Sequence, residues 1–211
     1  MTVETRDAKR KLPAERHGEL LAKAVELAAA EGLSAVTLRR VAADLGVTPG
    51  LVSHYFSSAE QLITAAFRSA AVADLAEARS RIDAAPTALA KMDALADYVL
   101  DDSSDDAGAL WLEAWSLGRR NPALATEAND LTDEWLICIA DIVRAGMRDG
   151  EFVVDDVNVA ARRLLTMIDG LGAQKVIRAV PSDEAKHIAR AYFASELGVV
   201  VGRPDETVDP H

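Results

Sequence analysis

Thr37-Leu38-Arg39-Arg40-Val41-Ala42-Ala43-Asp44-Leu45-Gly46-Val47-Thr48-Pro49-Gly50-Leu51-Val52-Ser53-His54-Tyr55-Phe56 has the pattern of two short helices joined by a tight turn. Leu38, Val41, Ala42 and Leu45 fall on one side of a short helix. Gly46 follows them and can take the positive φ that stops a helix and turns the chain. Val47 plugs the corner. Pro49 suits the first turn of a second helix, where an N–H has no partner to lose. Val52 and Phe56, four apart, point back to a core. Thr48, Pro49, Gly50, Ser53 and His54 are left on the outer surface. A short helix with small, polar, protruding side chains can enter a DNA major groove.

Outward from this stretch the periodicity is helical throughout. Pro13 to Glu31 predicts a first helix with Leu20, Ala24, Leu27 and Ala28 on one face and Gly32 as its C-terminal cap. Thr37 is placed to N-cap the second helix. Ser58-Ala59-Glu60-Gln61 reads as a capping box opening a long fourth helix to about Ala85, before Pro86. A fifth is expected over about Thr87 to Leu100, and the polar run Asp101 to Asp106 interrupts the pattern. A sixth runs from about Asp106 to Arg119, and a seventh from Pro122 to about Arg148, closed by Gly150. Asp155 or Asp156 caps an eighth that ends near Val180-Pro181. Ser182 caps a ninth that ends at Gly198. The predicted fold is all-α with about nine helices. It divides into a helix-turn-helix head over 1–58, a helical body over 59–200, and a tail over 201–211 with little to bury, expected to be disordered.

Charge and composition bound the function. The net charge of −11 argues against nucleic acid until its distribution is read. Residues 1–58 carry 8 Lys+Arg against 7 Asp+Glu, whereas residues 59–211 carry 15 against 27. The acid is segregated away from the head, where Arg6, Lys9, Arg10, Lys11, Arg39 and Arg40 can meet phosphates locally. No run approaches the ~18 apolar residues of a membrane span, and the polar stretch Thr2 to Lys11 does not read as a secretory signal. A single cysteine, Cys138, excludes an internal disulfide framework and suits a reducing compartment, so the expected location is the cytoplasm. Cys138 reads as a small buried hydrophobe. There is no Gly-rich phosphate loop, no metal-ligand cluster, and no nucleophile with a nearby base by motif, so no catalytic residue, metal or cofactor is expected. The aspartate pairs at 101–102, 105–106 and 155–156 read as helix caps and solvated loops.

The 37–62 region resembles the DNA-binding motif of the tetracycline-repressor (TetR) family of bacterial regulators. The match runs through Thr37, Arg39, Val41, Ala42, Gly46, Val47, Thr48, Gly50, Val52, Phe56 and Leu62. The chain departs at Ser53, where the pattern has Tyr, and at Ala59, where it has a phosphate-binding Lys. Ser53-His54-Tyr55-Phe56, Trp111-Leu112-Glu113-Ala114-Trp115, Asn121-Pro122 and Ile168-Asp169-Gly170-Leu171 resemble the choline-responsive subgroup that represses betaine synthesis. The resemblance implies a homodimer that binds a palindromic operator in double-stranded DNA through helices 1 to 3. It also implies pairing of the last two helices with a partner subunit, and release by a small-molecule effector. In that mechanism the effector shifts helix 6 against helix 4 and swings the heads.

Residue roles follow by chemistry. Arg39 matches the family position that reaches a base edge, where Arg pairs bidentately with guanine; the alternative is a solvated surface Arg. Thr37 and Arg40 suit phosphate oxygens. Thr48 can hydrogen-bond a base or phosphate, Pro49 can press a thymine methyl, and Gly50 permits close backbone approach. Ser53 and His54 face outward, with His54 on phosphate; His17, His187 and His211 offer it no metal-binding partner spacing. Tyr55 either faces DNA or packs on helix 1. In the body, Trp111 and Trp115 are four apart and share a face. Indole faces attract organic cations, so an unidentified small-molecule effector, with an organic cation as the candidate class, is the expectation, against ordinary core packing. Met92, Leu95, Trp135 and Met167 are candidate walls of that pocket. Asp169, on an otherwise apolar helix, is either a buried polar anchor or an effector contact. Leu164, Ile168, Leu171, Ile188, Tyr192 and Ser195 are candidate dimer contacts, against completion of the chain's own core. The rival reading is an all-helical interaction protein with degenerate DNA binding, motivated by Ser53 and Ala59.

Overall fold

The computed structural model describes residues 12–199, which form helices joined by turns, with no strand among the described residues. The helices are α1 (Pro13–Glu31), α2 (Leu38–Asp44), α3 (Pro49–Tyr55), α4 (Ala59–Asp83), α5 (Ala88–Val99), α6 (Asp105–Gly118), α7 (Pro122–Arg148), α8 (Val157–Val176) and α9 (Ser182–Glu196). Short 3-10 turns at Leu33–Ala35 and Asp102–Ser104 join α1 to α2 and α5 to α6. The 1–11 basic stretch and the 201–211 tail lie outside the described residues.

The caps read from sequence largely form. Thr37 Oγ1 accepts the Arg40 N–H, and Asp156 Oδ1 those of Asn158 and Val159; Thr87, expected as the first residue of α5, instead caps it by accepting the Ala90 N–H. These satisfy N–H groups that a helix start leaves unpaired. Three further details differ from expectation. At Ser58 only half the capping box forms: Ser58 Oγ accepts the Gln61 N–H, but Gln61 Oε1 takes the N–H of Ser57 instead. Helix α8 stops at Val176, because Arg178 turns the chain at φ 57° and the Ala179 N–H returns to the Gln174 carbonyl. Ser182 is the first residue of α9 rather than its cap, and its hydroxyl donates to the Leu100 carbonyl.

Two apolar clusters stack along the long helices. One joins α1, α2 and α3 to the first half of α4 (Leu62, Ala66, Phe67), to Leu110 and Ala114 of α6, and to Leu124, Ala128 and Leu131 of α7. The other joins the second half of α4 to α5, the C-terminal half of α7, α8 and α9. Trp111 packs against both. Buried Asn121 ties α7 to α4: its Oδ1 accepts the Leu124 N–H, while Nδ2 donates to the Glu60 carbonyl and Thr64 Oγ1.

The end of α7 is closed by Phe152, whose buried ring lies on Gly146. A Cβ on Gly146 would sit 2.1 Å from the ring. Helix propensity alone favours Ala over Gly by about 1 kcal/mol. Overpacking a filled core costs about 1–3 kcal/mol, so the clash decides the sign. Gly146→Ala is expected to lower the melting temperature, by about 2–4 °C per kcal/mol in a domain of this size. An unchanged or raised melting temperature would show that the ring can step aside.

Candidate nucleic-acid interface and body cavity

Helices α2 and α3 meet at Gly46, whose φ of 63° places it in the left-handed region. The Val47 N–H returns to the Ala42 carbonyl at 2.9 Å and fixes the corner. Val41, Ala42, Val52 and Phe56 are buried, which anchors the inner faces of both helices. Thr48 caps α3 by accepting the Leu51 N–H at 3.3 Å. Thr48, Pro49, Gly50, Ser53 and His54 all lie on the exposed side, as does Thr37. Ser53 donates to the Gly50 carbonyl at 3.1 Å, so its hydroxyl is turned back on its own helix.

The two arginines of α2 differ sharply. Arg39 is exposed and makes no hydrogen bond or ion pair with a described residue. Arg40 is clamped: its guanidinium forks onto both Glu31 carboxylate oxygens at 2.6 and 3.0 Å, and its Nε reaches Asp44 at 3.2 Å. Hydrogen bonds to Glu31 and then Asp44 push its pKa up. The expected phosphate role of Arg40 therefore requires it to leave two carboxylates, and in the free protein it ties α2 to the end of α1. Tyr55 is half-buried, with its ring edge-on to His17 of α1 at 6.2 Å, while His17 stacks on Phe56 at 4.9 Å. Of the two readings for Tyr55, packing on α1 is the one realised in the free protein.

The body holds a partly open cavity of about 70 Å³, several times the ~10–15 Å³ that one ordered water needs. Its walls come from α4 to α8 and include Leu95, Trp111, Trp115, Trp135 and Asp169. The Trp111 and Trp115 rings lie 5.8 Å apart, tilted by 49°. Trp111 also meets Phe67 edge-on at 5.1 Å. Met92 is not in this wall: it is fully buried in the core behind it. Met167 is not either; it lines a surface groove between α8 and α9. Residue type marks Met92 and Met167 as apolar, but it does not report which side of a helix is hollow.

Sequence spacing does not single out three ionisable wall residues, Asp74, Tyr98 and Lys175. Asp74 of α4 and Tyr98 of α5 face the cavity as a pair, with the Tyr98 hydroxyl donating to Asp74 Oδ1 at 2.7 Å. Burial raises both of their pKa values. The signal for Asp74 was its place beside the Ala71, Leu75, Ala78 and Ile82 stripe. Buried Lys175 donates to the Asp101 carbonyl at 2.7 Å and to the Asp105 carboxylate, so its charge is matched by the 101–105 turn. Asp169 is different from all of these. It makes no hydrogen bond or ion pair with a described residue, and burial alone pushes its pKa up to about 6. An acid held this way, facing indole rings, is complementary to a cation.

The expected dimer residues divide. Leu164 and Ile168 are at 0% and 1% exposure inside a single chain, and Ile168 is a cavity wall. Leu171 is also buried, at the floor of the α8–α9 groove beside Tyr192. A helical stripe shows that a face is covered but not by what, and here the chain's own helices cover α8, α7 foremost with α9 and α6. Ile188 packs partly on the same core, whereas Ser195 is exposed. The outer side of α8 is instead Arg162, Arg163, Thr166, Met167, Gly170 and Gln174.

Among the described residues no group of three or more His, Cys, Asp or Glu could hold a metal, and no helix is long and apolar enough to cross a membrane.

Comparison with known proteins agrees with this geometry. Residues 20–66 match the family described as bacterial regulatory proteins, tetR family, and residues 88–198 match the BetI-type transcriptional repressor, C-terminal. The HTH-type transcriptional regulator BetI 1 of Chromohalobacter salexigens is 28% identical over 189 residues, covering 86% of this chain and 90% of the relative. BetI of Stenotrophomonas maltophilia is 31% identical over 146 residues, covering 66% and 70%. Among solved structures, a protein from Saccharomonospora viridis in complex with choline superposes with a TM-score of 0.75 at 24% identity, over 85% of this chain and 95% of that one. A TetR-family protein from Rhodococcus sp. gives 0.74 at 20%, over 87% and 99%. With its helix-turn-helix head and its BetI-type C-terminal region, this chain belongs to the TetR family of transcriptional regulators.

Proposed function

We propose that this regulator acts in the cytoplasm as a homodimeric repressor whose operator complex is released by a small organic cation held in the body cavity. The observation that carries the effector class is unpartnered Asp169 in a cavity walled by Trp111, Trp115 and Trp135. A carboxylate attracts positive charge, and indole faces favour a poorly hydrated ammonium over a metal ion or a primary amine in water. The choline bound by the S. viridis protein of the same fold supports this class. On the head, Arg39, Thr48, Pro49 and Gly50 read base edges, and Thr37 and His54 meet phosphates. Two heads related by a two-fold axis read half-sites about 34–36 Å apart. The dimer surface is the α8–α9 groove with its Arg162, Arg163, Met167 and Tyr192 lining, not the buried stripe.

The test is a titration of the full chain with choline chloride, followed by tryptophan emission and by anisotropy of an operator selected from random DNA at fixed salt. Saturable quenching of emission together with loss of operator affinity is expected. Quenching without loss of DNA affinity would make the cavity a binding site without a regulatory output. No quenching would remove choline, and betaine or tetramethylammonium would then decide whether the cation class survives. No selectable operator would favour the rival reading of an interaction protein.

A further inference from the structure

We propose that Glu113 is the positioning residue that ties the DNA-binding head to the cavity wall. It sits in Trp111-Leu112-Glu113-Ala114-Trp115, between the two cavity tryptophans, but on another side of α6. Its Oε2 accepts the backbone N–H of Leu33 at 2.6 Å, a contact spanning 80 residues. Leu33 is fully buried in the head core and begins the turn that joins α1 to α2. The carboxylate is seated tightly on that corner. Gly32 has a φ of 87°, and a Cβ there would lie 2.3 Å from Glu113 Oε1. A hydrogen bond between a side-chain oxygen and a backbone N–H fixes their separation, so the corner follows the side chain.

The corner is connected onward. Glu31, two residues before Leu33, takes the bidentate fork of Arg40, and Arg40 also holds Asp44 at the far end of α2. Cavity wall, Glu113, the 31–33 corner, Arg40 and α2 thus form one unbroken run of packed and hydrogen-bonded groups. A ligand that repositions Trp111 and Trp115 moves α6, and α6 carries the corner with it. This route is separate from α4, which meets Trp111 through the Phe67 ring. A ligand shifts the head only by preferring one position of α6 over the other.

The inference rests on the cavity taking an effector, and its test separates the two. Full-length Glu113→Ala, Glu113→Asp and Glu113→Gln are compared with the parent in choline and operator titrations. The amide oxygen of Gln still accepts the Leu33 N–H; the shorter Asp keeps the charge but loses the reach. Choline is expected to weaken parental operator binding by about 5–150-fold, the usual range of allosteric coupling, and that of Glu113→Ala and Glu113→Asp by less than about 2-fold. Choline affinity itself stays near the parental value in all of them, and Glu113→Gln keeps the response. A parental response in Glu113→Ala or Glu113→Asp overturns the proposal; if circular dichroism shows Glu113→Ala unfolded, Glu113→Asp is decisive. If choline fails to bind the parent, the effector assignment falls alone. Coupling is then read in reverse, since linkage is reciprocal. Operator DNA should alter tryptophan emission in the parent and in Glu113→Gln, and not in Glu113→Asp. An emission change that survives in Glu113→Asp, or no change in the parent, also overturns it.

Discussion

Arg39→Ala is expected to weaken operator binding by about 30-fold to 10⁴-fold: each bidentate base contact is worth about 1–3 kcal/mol and the dimer makes it twice. The argument starts from what Arg39 lacks. Its neighbour Arg40 spends its guanidinium on Glu31 and Asp44, whereas Arg39 is exposed near the start of α2 with no described partner to leave. No ion pair with a described residue has to break before it can meet DNA. The diagnostic is positional rather than total affinity. If Arg39 reads a guanine, its loss relaxes discrimination at one base pair per half-site and leaves the salt dependence nearly intact. If it meets a phosphate, affinity falls on every sequence and the salt slope shrinks by about one per head. An unchanged titration on specific and random DNA alike would return Arg39 to the solvated surface. Arg40→Ala acts differently, because removing it leaves Glu31 and Asp44 beside each other and frees α2 from the corner of α1.

Asp169→Asn should have opposite effects on stability and on function. Burial holds the Asp169 pKa up at about 6, against 3.8 for an ordinary carboxyl. The folded protein therefore binds this proton more tightly than the unfolded chain does. Between pH 4 and 6 the native state carries more protons, so the contribution of this group to stability falls as pH rises through that window. Above it the charged carboxylate sits in a cavity with no described partner, at a cost on the order of 1–3 kcal/mol. Replacing it by neutral Asn should thus raise the melting temperature of the ligand-free protein at pH 8 and leave it little changed at pH 4. The same substitution removes the charge a cation needs. Choline affinity is expected to drop at least ~10-fold, as for an electrostatic contact of about 1.4 kcal/mol or more. In the parent, choline affinity should fall as pH drops through about 6 and lose that dependence in Asp169→Asn. Calorimetric melting at both pH values, with a choline titration at each, checks all of this. A destabilised Asp169→Asn with parental choline affinity would make Asp169 a structural anchor.

The head was legible because local rules and the global fold agree there. Gly46, Thr37, Thr48, Pro49 and the Val41–Val52–Phe56 core each carry a short-range instruction, and each is found obeyed. The helix order was legible for the same reason: caps and breakers at Gly32, Asn121, Gly150 and Asp156 act over a few residues. Boundaries slipped where the capping groups were used elsewhere, as at Ser182, whose hydroxyl is bound to the Leu100 carbonyl 82 residues away.

Residue order alone specifies an all-helical chain with a helix-turn-helix head, the protruding residues of α3, and two tryptophans sharing a face of α6. Those are consequences of spacing along one helix, which the order of residues specifies completely. What the apolar stripe of α8 meets is a property of the assembled helices. Leu164 and Ile168 turn into the chain's own core, Met92 lies behind the cavity, and Met167 lies outside it. Likewise Asp74, Tyr98 and Lys175 became wall residues, and Glu113 a bridge to Leu33, through contacts between helices far apart in sequence. Periodicity fixes which face of a helix is buried, but the partner on that face, and whether the space between is filled or hollow, is set by side-chain volumes summed over five helices at once.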